Sequence, residues 1–168
     1  MIKDLLLLTL FPGAMALAAT TDLLTMTVPN RIVITLVAGF FLLAPLVGFS
    51  WPDIGIHAAI GCSALILGFV MFSLGWIGGG DAKLFAATAL WLDPNLLLDY
   101  SLVAALFGGL LSLTILVIRH FPLPTVLLGQ GWLVRLHDAK QGVPYGIALA
   151  IGGLMVYPDT PFMAALGS

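Results

Sequence analysis

Two aspartates set in long apolar runs are the residues of this sequence best suited to catalysis. Asp22 stands near the end of the first apolar run, and Asp81 opens the fourth, directly behind Gly78, Gly79 and Gly80. Placing an ionisable side chain inside the membrane costs free energy, so such a residue is a candidate functional residue. Two carboxylates a few ångströms apart cannot both ionise easily, so one keeps a proton as acid while the other acts as base. Such a pair can activate water against a peptide carbonyl.

The glycines before Asp81 have two interpretations. Gly78, Gly79 and Gly80 carry no side chains and tolerate a positive φ, which predicts that an extended substrate backbone can approach Asp81 closely. Glycine and aspartate are also the residues that ordinary turns and helix amino termini use. The residues alone leave both interpretations open.

The amino-acid composition indicates whether these aspartates belong to a water-soluble protein or to a membrane protein. Of the 168 residues, 61% are hydrophobic and 8% are charged, and the mean hydropathy is +1.14. These values predict a membrane protein, in which each crossing needs about 20 apolar residues. The net charge of -2 gives no reason to expect a nucleic-acid partner. Cys62, the only cysteine, excludes an internal disulfide and any multi-cysteine zinc site.

Six apolar segments predict an all-α integral membrane protein, a bundle of about six transmembrane helices forming a single domain, residues 1–168. The segments cover residues 5–24, 32–49, 54–77, 82–92, 96–118 and 143–157. The fourth is short, so it either borrows flanking residues or enters the bilayer without crossing it. The loop at about 119–142 should be cytosolic or interfacial, and its Trp132 and Leu133 among basic residues favour an interfacial helix.

The amino-terminal run imitates a secretory signal, with Lys3 ahead of LLLLTLF and the small residues AMALAA. The apolar stretch continues to Leu24, however, which is long enough for a spanning helix. We therefore expect this segment to be retained as the first span.

Positive charges predict the orientation of the bundle, because cytosolic joints carry an excess of lysine and arginine. Five of the six basic residues lie at the joints after the first, third and fifth segments: Arg31, Lys83, Arg119, Arg135 and Lys140. Only Lys3 lies on the opposite side of the membrane. These joints should be cytosolic, and Asp22 and Asp81 then stand at the cytosolic ends of their helices.

The other polar and aromatic residues have simpler explanations. Most of the remaining aspartates, including Asp53, lie at predicted helix ends, as caps and turn residues do. His57 follows Asp53 by four residues, but two ligands at a membrane edge are usually interfacial polar groups, so we expect no metal. The tryptophans, including Trp91, fall near predicted helix ends and suit the membrane interface.

Two motifs around the aspartates resemble those of a known family. GGGDAKL, residues 78–84, is similar to the second catalytic segment of the type IV prepilin peptidases, membrane aspartic proteases with a G-x-G-D motif. DLLTMTVPNRI, residues 22–32, resembles the first catalytic stretch of that family, in which an aspartate precedes a turn, here Pro29 and Asn30.

A third motif resembles the same family in the last apolar segment. VPYGIALA, residues 143–150, is similar to the Pro-Tyr-Gly entry to the family's last span. The matching residues are Pro144, Tyr145 and Gly146. Order, spacing and hydropathy agree over nearly the whole chain, so the three matches support one another.

The resemblance implies an aspartic endopeptidase of the inner membrane that removes the leader of prepilins or pseudopilins at the cytosolic face. It maps the catalytic aspartates onto Asp22 and Asp81, gives Lys83 a supporting role, and implies no cofactor. The partners would be substrates with a cytosolic leader and an apolar helix, together with membrane lipid. The chain lacks the long cytosolic insertion and cysteine pairs of larger members, so N-methyltransferase activity is not implied. This short form looks most like the tight-adherence (Flp) pilus peptidases.

Two functions from other classes stay open. A small proton- or cation-coupled transporter would also place aspartates within helices, although relay groups should be spread through the membrane depth. A noncatalytic membrane component of a pilus-assembly machine is the other alternative. No G-x-S-x-G pattern stands in the sequence, which disfavours a serine mechanism.

Overall fold

The structure, a computed structural model, describes residues 1–167, and this part of the chain is helical with no β-strand. Eight α-helices follow one another in it. They are α1 (Ile2–Thr25), α2 (Asn30–Val47), α3 (Trp51–Ser73), α4 (Gly79–Ala89), α5 (Pro94–Arg119), α6 (Gly131–His137), α7 (Tyr145–Val156) and α8 (Pro161–Ala164). Two 3₁₀ turns, Thr125–Leu127 and Tyr157–Asp159, complete them. The predicted all-α fold is confirmed.

Four helices in residues 1–167 are long and apolar enough to cross a membrane, namely α1, α2, α3 and α5. Helices α4 and α7 have 11 and 12 residues. At about 1.5 Å per residue they rise roughly 16–18 Å, which is less than a hydrocarbon core of about 30 Å. Each of the six predicted segments contains a helix, but the prediction that about six cross the membrane is not confirmed.

Residues with typical capping geometry begin and end these helices. The Ser50 hydroxyl accepts the Asp53 N–H at 3.4 Å, and the Asp53 carboxylate accepts the Ser50 N–H at 2.9 Å. This capping box satisfies two backbone donors at the start of α3. At the end of α2, Gly48 has φ 95°, a conformation that glycine adopts at little cost. The predicted capping role of Asp53 is therefore confirmed.

Helix α7 is the centre of the bundle and packs against α1, α4 and α5. A Cβ atom at Gly152 would stand 3.2 Å from Ala104 in α5, and one at Gly153 would stand 3.3 Å from the Met15 sulfur in α1. Small residues of this kind let membrane helices approach closely. The Gly153 Cβ position is also 3.4 Å from Thr88 in α4, so α7 bridges α1 and α4, the two helices that carry the predicted catalytic aspartates.

Aromatic side chains close one end of the bundle. We refer to the following residues as the aromatic end: Phe11, Phe40, Trp91, Tyr157 and Phe162. The rings of Phe11 and Tyr157 stack at 4.4 Å, and those of Trp91 and Phe162 lie 4.7 Å apart. Trp91 is fully buried, and its Nε1 donates to the Leu36 carbonyl at 3.1 Å. The interfacial position predicted for Trp91 is wrong, because α4 is short and Trp91 follows it inside the bundle.

His57 is also buried near the aromatic end. Its Nδ1 lies 2.9 Å from the Leu90 carbonyl oxygen, and its Nε2 lies 3.3 Å from the Asp93 carboxylate. Asp53, the neighbour considered from the sequence, instead caps its own helix. His57 therefore ties α3 to the α4–α5 connection rather than lying at the membrane interface.

Candidate active site

Asp22 continues the buried face of α1. That face is a stripe at helical spacing: Leu7, Phe11, Ala14, Met15, Ala18 and Asp22. Residues three and four apart lie on the same side of a helix. The side that packs α1 into the bundle therefore carries the carboxylate inward, and Asp22 is 4% exposed.

Asp81 lies in the first turn of α4, where its carboxylate folds back over the residue that precedes the helix. The backbone N–H of Gly78, one of the donors that a helix start leaves without a partner, lies within reach of this carboxylate. A Cβ atom at Gly78 would stand 2.9 Å from the Asp81 Oδ2. Glycine at this position therefore leaves space for the carboxylate.

The backbone amide of Gly146 joins the two aspartates. Its N–H donates to the Asp22 Oδ2 at 2.7 Å, and it also lies within reach of the Asp81 carboxylate. The two carboxylates are close enough for their charges to interact. Because Gly146 is in the first turn of α7, its N–H is free of the helix's own hydrogen bonds. We refer to Asp22 and Asp81 as the dyad, and to the end of the bundle that contains these three residues as the dyad end.

A side chain at position 146 would displace the dyad. A Cβ atom there would stand 2.8 Å from the Asp22 Oδ2 and 3.0 Å from its Cγ. The sequence indicated Gly146 as part of the substrate approach, whereas the structure places its backbone in direct contact with a carboxylate. Glycine lets the amino terminus of α7 approach Asp22 this closely.

The other two glycines before Asp81 pack against protein. A Cβ atom at Gly79 would stand 3.4 Å from the Phe72 ring, and one at Gly80 would stand 3.3 Å from the Val28 backbone nitrogen. Neither they nor Gly78 has a positive φ, so that part of the sequence interpretation is wrong. Gly78 is extended and the next two residues begin α4. These glycines bring α3 and the α1–α2 connection close to α4.

Lys83 and Asn30 form a brace between α4 and α2. The Lys83 Nζ donates to the Asn30 Oδ1 at 2.9 Å. Pro29, the residue before α2, is extended with φ -62° and ψ 138°, as a residue that starts a helix should be. This bond holds α4 beside α2, and the supporting role of Lys83 in the reaction stays a prediction.

Pro144 and Tyr145 position the amino terminus of α7. Pro144 immediately precedes the helix, where its missing N–H removes no helical hydrogen bond. The Tyr145 ring rests on Gly108 of α5, where a Cβ atom would stand 2.4 Å from the ring Cε1. The sequence interpretation missed Gly108, although neighbouring glycines in a long apolar helix are a signal of close packing.

Two arginines hold the connection between α5 and α7 at the dyad end. Arg119, the last residue of α5, donates to the Gly142 carbonyl at 3.0 Å. Arg135 in α6 donates to the Leu24 carbonyl near the end of α1. Basic residues commonly bond to the last carbonyls of a helix, so this signal was available in the sequence, although only their charge was used there.

The site combines two carboxylates and a backbone donor from three different helices. One carboxylate can hold a proton while the other accepts one, which is the requirement for general acid–base hydrolysis. Within residues 1–167, no group of three or more histidine, cysteine, aspartate or glutamate side chains is arranged to hold a metal ion.

Comparison with known proteins bears on the same residues. The chain matches the type IV leader peptidase family over residues 9–113, more than half of its 168 residues. Searches of curated proteins and of solved structures find no match. The matched range contains Asp22 and Asp81, the pair that the fold brings together, and all four helices long enough to span a membrane lie wholly or largely within it. The chain therefore belongs to the type IV leader peptidase family and is a multi-pass membrane protein.

Proposed function

We propose that this chain is an aspartic endopeptidase that removes the leader peptide from prepilins or pseudopilins, with Asp22 and Asp81 as its catalytic residues. The observation that carries the proposal is the meeting of these two side chains around the Gly146 amide. Family membership implies a leader peptidase, and paired carboxylates supply chemistry for hydrolysing a peptide bond. The resemblance to the short forms favours Flp-type pilins as substrates.

In the proposed reaction the pair begins with one proton. The ionised carboxylate takes a proton from water as the water oxygen attacks the scissile carbonyl carbon, and the other carboxylic acid gives its proton to the carbonyl oxygen. The resulting diol then loses a hydroxyl proton to one carboxylate while the other acid protonates the leaving nitrogen. The C–N bond breaks, and the pair again holds one proton. Throughout, the Gly146 N–H holds the Asp22 carboxylate in place.

We place this reaction at the cytosolic face of the inner membrane. The chain has six lysines and arginines, and all except Lys3 belong to helices or connections at the dyad end. Cytosolic ends of membrane proteins carry this excess. The substrate would then present its leader to the cytosol and its apolar helix to the bilayer, and a basic leader would be attracted to anionic lipid.

Co-expression with a prepilin tests this function. Wild type should shorten the prepilin by the mass of its leader. Asp22→Asn and Asp81→Asn should each lower cleavage at least about a thousandfold, because an amide cannot exchange the proton that the reaction requires. The matched control is Asp99→Asn at an exposed position of α5, which should cleave as wild type does. Near-normal cleavage by either dyad variant would refute the proposal.

A further inference from the structure

A lateral groove opens beside Asp81. It has a volume of about 230 Å³ and is lined by residues of α3, α4, α5 and α7 together with Ile77. Within residues 1–167, α3 packs on α4 and α5 packs on α7, whereas α3 and α5 are not packed closely against each other. The groove therefore lies in the gap between α3 and α5, with α4 and α7 beneath it. We refer to it as the Asp81 groove.

The lining of the Asp81 groove is mostly apolar. Leu67 and Met71 form the wall from α3. The wall from α5 consists of small residues at helical spacing: Ser101, Ala104 and Ala105. The Ser101 hydroxyl already donates to the Leu97 carbonyl at 2.7 Å, so it does not require a ligand. The groove thus combines an apolar trough with one carboxylate, and it fits an apolar peptide segment.

Tyr145 lines the groove next to the dyad, since Gly146 follows it in α7. Its ring lies against α5 because Gly108 has no side chain; a Cβ atom there would stand 2.4 Å from the ring. A larger residue at position 108 would push the ring away from α5. Gly108 therefore determines where this wall of the groove stands.

A second groove, on the other face of α3, offers a comparison. Its volume is about 300 Å³, and it is lined by residues of α2, α3 and α4, including Ala58, Cys62 and Lys83. Its one charged residue, Lys83, is bonded to Asn30. Of these two grooves, volume alone would favour the second as a binding site. The position of Asp81 favours the smaller one, because a bond held in the second groove would not meet the carboxylate.

We propose that the apolar segment on the carboxyl side of the scissile bond enters from the bilayer between α3 and α5 and lies in the Asp81 groove. This inference rests on the proposed function, since it takes the Asp81 carboxylate as a group that meets the bond. With the leader at the dyad end, the residues after the bond must pass beside Asp81 toward the apolar interior. Ala104 and Ala105 then determine how large a substrate side chain the groove accepts.

Disulfide trapping distinguishes the two grooves. Native Cys62 is exposed and lines the second groove, so it is a built-in reporter there. Ala105→Cys, combined with Cys62→Ala, reports on the Asp81 groove. Both proteins also carry Asp81→Asn to keep the substrate intact, and the prepilin carries one cysteine among the first apolar residues after its cleavage site. Under a mild oxidant we expect the disulfide at position 105; trapping at Cys62, or at neither position, would overturn the assignment.

A size test uses active protein and separates this inference from the proposed function. Ala105 is exposed, so Ala105→Leu can be accommodated by the fold while it fills the groove, and it should lower kcat/KM at least about tenfold, mainly through KM. Ala58→Leu in the second groove should remain near wild type. If wild type fails to cleave the prepilin, the proposed function itself fails. If wild type cleaves and Ala105→Leu cleaves equally well, only the groove assignment fails.

Discussion

The two ends of this bundle are built from opposite kinds of residue. At the aromatic end, large rings are at most 3% exposed and contact one another directly. At the dyad end, the contacts near the carboxylates are made by glycines and backbone amides, and the closest is the 2.7 Å bond from Gly146 to Asp22. Large aromatic side chains fill the aromatic end, whereas residues without side chains leave space around the carboxylates at the dyad end.

The same three helices carry both ends, so stability and chemistry are separated along each helix. Helix α1 has Phe11 near its start and Asp22 near its end. Helix α4 has Asp81 in its first turn and leads into Trp91, and α7 has Gly146 in its first turn and leads into Tyr157. A tightly packed end can hold the helices in register while the other end stays open to a substrate. Substitutions at the two ends should therefore have different consequences.

The largest effect on stability should come from Trp91→Ala. The change leaves a cavity among the rings and removes the indole's bond to the Leu36 carbonyl, and it should lower the free energy of unfolding by about 3 kcal/mol. The measurement is thermal or denaturant unfolding in detergent. Trp51→Ala is the matched control, since Trp51 is 83% exposed and should change little. Equal effects of the two substitutions would mean that the aromatic end does not hold the bundle together.

Gly146→Ala should have a large effect on activity although it adds only one methyl group. The new methyl group meets the Asp22 carboxylate at 2.8 Å, so it should displace the dyad and lower kcat by about a hundredfold. Gly142→Ala is the control, because nothing lies within 4 Å of a Cβ atom there. Normal cleavage by Gly146→Ala, measured on the same prepilin, would show that this amide does not position the dyad.

The pH dependence of cleavage should report the pair and not a single aspartate. The active form holds one proton, so activity should fall at low pH, where both carboxyls are protonated, and at high pH, where both are ionised. The profile of kcat/KM should be bell-shaped, with a limiting slope of about tenfold per pH unit on each side. A profile without one of the two limbs would argue that one carboxylate is structural.

Lys83→Met should have the smallest effect. It removes an exposed bond to Asn30 at the edge of the dyad end, and exposed polar contacts contribute little, so cleavage should change less than about fivefold. Asn30→Ala tests the brace, since the double variant should resemble the single variants if the two residues act only on each other. A loss as large as that of Asp81→Asn would place Lys83 in the chemistry itself.

Features that depend on neighbouring residues could be predicted from the sequence. The apolar segments predicted every helix that carries the site, because hydropathy along a chain directly reflects burial in lipid or protein. The capping role of Asp53 followed from its place at a predicted helix end, where a carboxylate accepts nearby backbone N–H groups. The stripe that ends in Asp22 also has helical spacing, a signal of a packed face that the prediction from the sequence did not use.

Only the tertiary structure decided which groups meet. Nothing in the sequence placed the Gly146 N–H at Asp22, because the two residues are 124 positions apart and the contact depends on how closely α7 approaches α1. The burial of Trp91 and the pairing of His57 with Asp93 followed from the shortness of α4, which sets where the chain turns back into the bundle. The sequence by itself determined the helices and the polar residues along them. The packing of small residues between helices decided their partners, since a small residue in one segment indicates close packing but does not specify which helix it packs against.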